Sequence, residues 1–207
     1  MTAAQPLRRW LVAAGALLAL GTAAATAETA PWETVEPGGE TGCADGSAYR
    51  FHLREADPDR LLVFFNGGGA CWNAGTCDPA GKPTYRTHAG PGSGNDPREY
   101  GGAFDLDNPE NPFRSWSQLF VSYCSGDVHL GAATGRYPAG TGEVVVRHAG
   151  RANARSALAA AYARFPAPAH VVVAGGSAGA LASPVYAAVL ADHYPEARIT
   201  QLGGGGT

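Results

Sequence analysis

The chain is poor in charge: Asp, Glu, Lys and Arg make up only 16% of its 207 residues. Fifteen basic residues stand against 18 acidic ones, for a formal net charge of -3. No basic excess exists to neutralise a phosphate backbone, which excludes nucleic acid as a partner. A hydrophobic content of 45% equally excludes a disordered chain. There is no internal repeat, and no G-x-G-x-x-G run of the kind that cradles a dinucleotide. There is no C-x-x-C pair and no histidine at ligand spacing from a cysteine, so neither a metal nor a cofactor is expected. Beyond the first 27 residues no apolar stretch is long enough to span a bilayer.

Glycine is abundant instead. The 29 glycines are about twice the usual share, and without a collagen period they imply tightly turned loops around a compact core. At the N-terminus, Arg8 and Arg9 precede an apolar run over residues 11–25, followed by the small-residue triplet Ala25-Thr26-Ala27. That three-part pattern reads as a secretory signal peptide over residues 1–27, cleaved before Glu28, with one domain over 28–207. The alternative, a membrane anchor, would need an apolar run of roughly 20 residues. The expected location is secreted or periplasmic, with no membrane contact beyond the leader. Export into an oxidising compartment makes two disulfides of Cys43, Cys71, Cys77 and Cys124. Three pairings are open; the spacing of Cys71 and Cys77 permits a small clip, leaving Cys43 for Cys124.

Tyr49, Phe51 and Leu53 alternate with Arg50, His52 and Arg54, as in a half-buried strand. Residues 56–59 read as a turn. Residues 61–65 form a continuous apolar run of the kind found in buried parallel strands. Residues 70–115 show no period, and so long a loop is expected to be functional or stapled. Residues 119–123 read as another buried strand, and residues 126–142 as a glycine-rich connection. Residues 153–165 read as a helix with Leu158, Ala161, Tyr162 and Phe165 on one face. Three consecutive valines mark a central strand over residues 170–174. Residues 180–193 read as a second helix with Leu181, Val185, Ala188 and Val189 on one stripe, and residues 199–202 begin another strand. Strands alternating with helices predict an α/β fold with a mostly parallel sheet and flanking helices.

Gly175-x-Ser177-x-Gly179 stands between a buried strand and a helix, the pattern of a nucleophile elbow. The turn is so sharp that side chains two positions either side of the serine would collide. Its hydroxyl is presented over a helix N-terminus, where the backbone N–H of Ala178 can receive an oxyanion. The alternative is a structural turn in which serine merely caps the helix. About 110 residues earlier, Asn66-Gly67-Gly68-Gly69 follows another buried strand. Such glycine runs supply a second oxyanion donor in serine hydrolases; here Asn66 stands where a histidine is usual. The alternative is an ordinary flexible turn.

Three blocks resemble the pectin acetylesterase/Notum family of secreted α/β-hydrolase-type serine esterases. They are residues 62–72 (LVFFNGGGACW), 123–131 (YCSGDVHLG) and 175–180 (GGSAGA). The resemblance covers roughly residues 43–202. It implies that Ser177 is the nucleophile, that Gly68, Gly69 and Ala178 surround the oxyanion, and that the Asp127–His129 segment borders the site. It implies an acylated carbohydrate such as pectin, or another ester, as substrate. A lipid or protein deacylase of the same family is the neighbouring reading.

One departure is serious. The fold's triad runs Ser, Asp or Glu, then His, yet only 30 residues follow Ser177 and His193 is the one histidine among them. Four helical turns place it about 24 Å along the axis from the serine. Asp192 and Glu196 lie at the same far end. The sequence is therefore read as C-terminally truncated, with a non-catalytic fragment as the third functional reading. His129 is the best upstream substitute for the base and otherwise a residue lining the pocket. Asp127 reads as a loop brace or a substrate contact. Trp72 and Trp116 read first as core residues and second as the floor of a sugar or acyl pocket. His52, His88, His148 and His170 read as surface or loop residues.

Overall fold

The structure, a computed structural model, describes residues 31–204 besides Met1. The leader expected over residues 1–27 thus falls, Met1 apart, outside the described residues. The elements in chain order are β1 (Glu33–Val35), β2 (Phe51–Arg54), β3 (Asp57–Phe65), α1 (Ala74–Cys77), β4 (Trp116–Val121), β5 (Ala133–Ala139), β6 (Gly142–His148), α2 (Gly150–Arg164), β7 (His170–Gly176), α3 (Ala178–His193) and β8 (Arg198–Gly204). Six strands form one sheet in the order β1-β2-β4-β3-β7-β8, and β5 and β6 form a separate hairpin.

The sheet is mixed. Strands β4, β3, β7 and β8 are parallel, as the βα alternation predicts, whereas β2 runs antiparallel to β4 and β1 antiparallel to β2. Only residues 55 and 56 link β2 to β3. Two residues cannot make the crossover that a parallel pair needs, so the chain must reverse there.

Strands β3, β4 and β7 are covered on both faces, which is why they read as unbroken apolar runs. On one face Leu61, Val63, Leu119, Val121, Val171 and Val173 pack against α2 and α3. On the other, Leu62, Phe120 and Val172 pack under Trp116 and Phe104. The aperiodic stretch over residues 70–115 is therefore structural in part, because its second half roofs the sheet's second face.

Several expectations are corrected. Residues 56–59 are not a separate turn, because β3 already begins at Asp57. Asp57 pairs with Trp116, and the register slips before Leu61. The turn chemistry is real but local: Asp59 N–H donates to Asp57 Oδ1 within the bulge. Strand β2 is buried on both faces rather than half-buried, so Arg54 is only 1% exposed. Its two terminal nitrogens donate to the carbonyls of Trp116 and Arg114, which offsets part of the cost of burying the charge, while its buried Nε–H has no partner. His52 lies on the same strand and is buried too, as is His148 on β6. The connection over residues 126–142 contains most of the β5–β6 hairpin, turned at Gly140 with φ +58°.

Helix α2 buries Leu158, Ala161 and Phe165 nearby, as its period predicts. Helix α3 does the opposite. Leu181, Val185 and Val189 are exposed, and the inner face is Gly179, Ala182, Ser183, Tyr186, Ala187 and Leu190. A Cβ on Gly179 would overlap the carbonyl oxygen of Phe65. The helix sits so close to the sheet at its start that small residues must face inward there. Of the larger ones, Val185 and Val189 line a groove of about 460 Å³ between α2 and α3, with Leu130 and Tyr162. Among the described residues no helix is long and apolar enough to cross a membrane.

Candidate active site

Strand β7 delivers the chain to Ser177 and α3 carries it away. Ser177 has φ +50° and ψ -117°. A non-glycine residue at positive φ is costly, on the order of 1–3 kcal/mol, and persists only where its surroundings enforce it. Here they do. A Cβ on Gly175 would overlap the carbonyl of Gly179, so the two glycines of the motif close on one another across the turn. Ser177 N–H is fixed to the carbonyl of Gly204 on β8 at 3.0 Å. The serine is exposed at the carboxyl end of the parallel strands. Ala178 and Gly179 open α3, and neither N–H has an acceptor among the described residues. Their dipoles point outward beside the serine.

The glycine run after β3 meets this turn. A Cβ on Gly67 would stand 2.6 Å from the carbonyl oxygen of Gly176 and 3.1 Å from Ser177 Cβ. Gly69 has φ +82°, open to glycine at no cost, and a Cβ there would overlap the carbonyl of Thr84. The structure thus brings Gly68, Gly69, Ser177 and Ala178 to one edge of the sheet. Among the described residues the Gly68 and Gly69 N–H groups are also without acceptors.

Asn66 anchors the run. Its side-chain NH2 donates to Gly94 O and Asn95 Oδ1, and its Oδ1 accepts from Gly67 N–H, while the Tyr100 hydroxyl beside it donates to the Gly94 carbonyl at 2.6 Å. All its hydrogen-bonding capacity goes into the loop, so it is a brace rather than a base. Asn95 in turn is tied to the carbonyls of His88 and Tyr123. Sequence reasoning missed Asn95, Tyr100 and Arg86, which all reach this loop from the stretch without a period; no spacing marks them.

His129 does not line a pocket. It is 1% exposed, edge-on to Phe65, and its Nε2–H donates to the Asn66 carbonyl at 2.8 Å. Burial pushes its pKa down to about 4, only partly opposed by that bond and by Asp127. A neutral donor locked under the loop cannot take a proton from Ser177. Val128 and His129 both have positive φ, 51° and 63°, so this segment is strained. Asp127 is a brace: Oδ1 accepts from Ser125 O–H and Oδ2 from the N–H of Gly150. The N-cap of α2 is Ala149, which has no capping side chain, and Asp127 supplies the carboxylate from a distant loop.

The cysteines pair as Cys43–Cys124 and Cys71–Cys77. His148 lies near the second pair, but both thiols are spent in the disulfide and both ring nitrogens are bonded, to Tyr137 O–H and the Ser125 carbonyl. The cluster therefore offers no free ligand set. Beside this clip Trp72 is 68% exposed, so it is not the core residue first expected, whereas Trp116 is. His193 stacks on Tyr162 at the far end of α3. Among the described residues Ser177 Oγ has no hydrogen-bond partner, and no carboxylate or histidine is bonded to it.

The arrangement presents one exposed hydroxyl beside several unspent N–H donors. No curated protein matches the chain. Residues 30–207 match the pectinacetylesterase family, over most of the sequence and all three motif blocks, and the chain belongs to that family.

Proposed function

We propose that the chain is a secreted serine carboxylester hydrolase that releases acetate from an acylated polysaccharide such as pectin. Family membership supports an acetylesterase-like function on an ester substrate. The observation that carries the rest is the contact between the strained Ser177 turn and the triple-glycine loop. The strand order, with the serine turn after β7 and the glycine loop after neighbouring β3, supports an α/β-hydrolase-type fold. The two disulfides support export, with residues 1–27 as the leader.

Ser177 Oγ attacks the ester carbonyl carbon and its proton leaves to a base. The carbonyl oxygen becomes an oxyanion facing the N–H groups of Gly68, Gly69 and Ala178. Collapse expels the sugar alkoxide, which takes up a proton, and leaves an acetyl group on Ser177. Water then attacks that ester and acetate departs. Exposed Trp72 stands near the glycine loop, where its face can stack on a sugar ring.

A second reading, a non-catalytic chain, is favoured by one observation: among the described residues no histidine reaches Ser177, since His129 is buried and His193 is remote. Turnover of acetylated pectin separates the two. Acetate release that is lost in Ser177→Ala supports the esterase; release equal in both proteins excludes it.

A further inference from the structure

We infer that Arg86 is a positioning residue that aims the oxyanion donors of the glycine loop, an inference that rests on Ser177 as the nucleophile. Its Nη1–H donates to the carbonyl of Gly67 at 2.7 Å, and its own backbone N–H donates to the carbonyl of Gly68 at 2.9 Å. In a trans peptide unit the C=O and N–H point in opposite directions. The unit carrying the Gly67 carbonyl also carries the Gly68 N–H. The unit carrying the Gly68 carbonyl also carries the Gly69 N–H. Arg86 therefore holds both units by their oxygens and turns both N–H groups away from itself.

Three glycines cannot order themselves. They have no side chains to pack and lose more backbone freedom on folding than any other residue. Order must come from outside, and the preceding carbonyl is held the same way, Asn66 O by His129. The alkyl part of Arg86 lies flat on the loop: a Cβ on Gly68 would stand 2.9 Å from its Cδ. Its guanidinium rests against Gly94. Among the described residues Arg86 forms no ion pair. Its one side-chain acceptor is a backbone carbonyl of this loop, so neither a salt bridge nor a fully solvated surface position accounts for it. Lysine could reach that carbonyl but lacks the planar fork that lies along the loop.

The test compares wild type, Arg86→Lys and Arg86→Ala by two readouts on the disulfide-intact chain. The first is the 15N order parameter of the Gly68 and Gly69 amides. The second is the rate of Ser177 phosphonylation by a fluorophosphonate, in imidazole buffer so that solvent supplies the base. In wild type both amides are expected near 0.85; in Arg86→Ala the Gly68 amide should fall below about 0.6, while Gly69, held through the backbone N–H of residue 86, stays near 0.85 with Gly175 and Gly179. The maximal labelling rate should fall about 100-fold at unchanged half-saturating probe concentration, the scale of losing an oxyanion donor. Arg86→Lys should recover part of both. An ordered Gly68 amide in Arg86→Ala, or wild-type labelling by it, would overturn the positioning role. If Ser177 labels in none of the three while the amides respond as stated, the nucleophile assignment fails and takes the catalytic meaning of Arg86 with it.

Discussion

Gly67 and Ser177 touch: a side chain on the first would stand 3.1 Å from Cβ of the second. The two loops come from strands far apart in sequence and adjacent in the sheet, and they meet only because position 67 has no Cβ. Gly67→Ala must push the loop off the turn, since the Gly176 carbonyl at 2.6 Å is backbone and cannot swing away. Expected is a loss of Ser177 reactivity of at least about tenfold, from displaced donors. Destabilisation should stay within the usual 0.5–3 kcal/mol range, on the order of 1–2. Labelling kinetics and a thermal melt check both.

The strain at Ser177 has a measurable counterpart. Ser177→Gly relieves the positive φ, while Ser177→Ala keeps it. Both remove the hydroxyl. Ser177→Gly should therefore be more stable than Ser177→Ala by about 1 kcal/mol, after the entropic cost of the glycine is set against the released strain. Urea unfolding of the two variants reads the difference. Equal stabilities would mean that the strain no more than matches the glycine's entropic cost of roughly 0.5–1 kcal/mol.

The two disulfides close loops of very different size, with sequence separations of 81 and 6. The chain-entropy relation gives about 4–5 kcal/mol for the long loop and about 2 for the short one. Replacing Cys43 and Cys124 by alanine should thus cost roughly twice as much stability as replacing Cys71 and Cys77. Denaturant midpoints of the two double variants decide it.

Two buried histidines set a pH dependence. Burial lowers both His52 and His129 to about 4 in the folded chain, from an ordinary value of 6.5. A depressed folded pKa means that the unfolded chain binds the protons first as pH falls. Stability is therefore full above about pH 6.5 and falls through the window down to about 4, where both states are protonated. At pH 5 each histidine should remove about 2 kcal/mol relative to pH 7.5. Urea midpoints across this range should fall, and His129→Gln should flatten the curve by one histidine's share.

Much of the candidate site was legible because its signals are local. Val171–Val173 followed by Gly175, Ser177 and Gly179 states a strand, a sharp turn and a helix start within a few residues. Residues 61–69 do the same for the glycine loop. What stayed hidden depends on tertiary contact. Arg86 binds a carbonyl 19 residues away and stands in a stretch with no period. Three cysteine pairings remained open because spacing alone does not bring Cys43 to Cys124. The outward stripe of α3 was unreadable for another reason. The helix is apolar almost all round, so its period does not name a buried face, and the close approach at Gly179 reserves the inner one for small side chains. The β5–β6 hairpin was lost among glycines, although Val144, Val145 and Val146 gave a strand signal before α2.

The most direct measurement is mass-spectrometric mapping of a fluorophosphonate adduct on the purified, disulfide-intact chain, with and without imidazole. Expected is slow modification of Ser177, accelerated by imidazole because no base is bonded to the hydroxyl, and absent from Ser177→Ala. A chain that stays unmodified at Ser177 under both conditions, or that carries the adduct elsewhere at the same rate in Ser177→Ala, would contradict the assignment of that hydroxyl as the nucleophile.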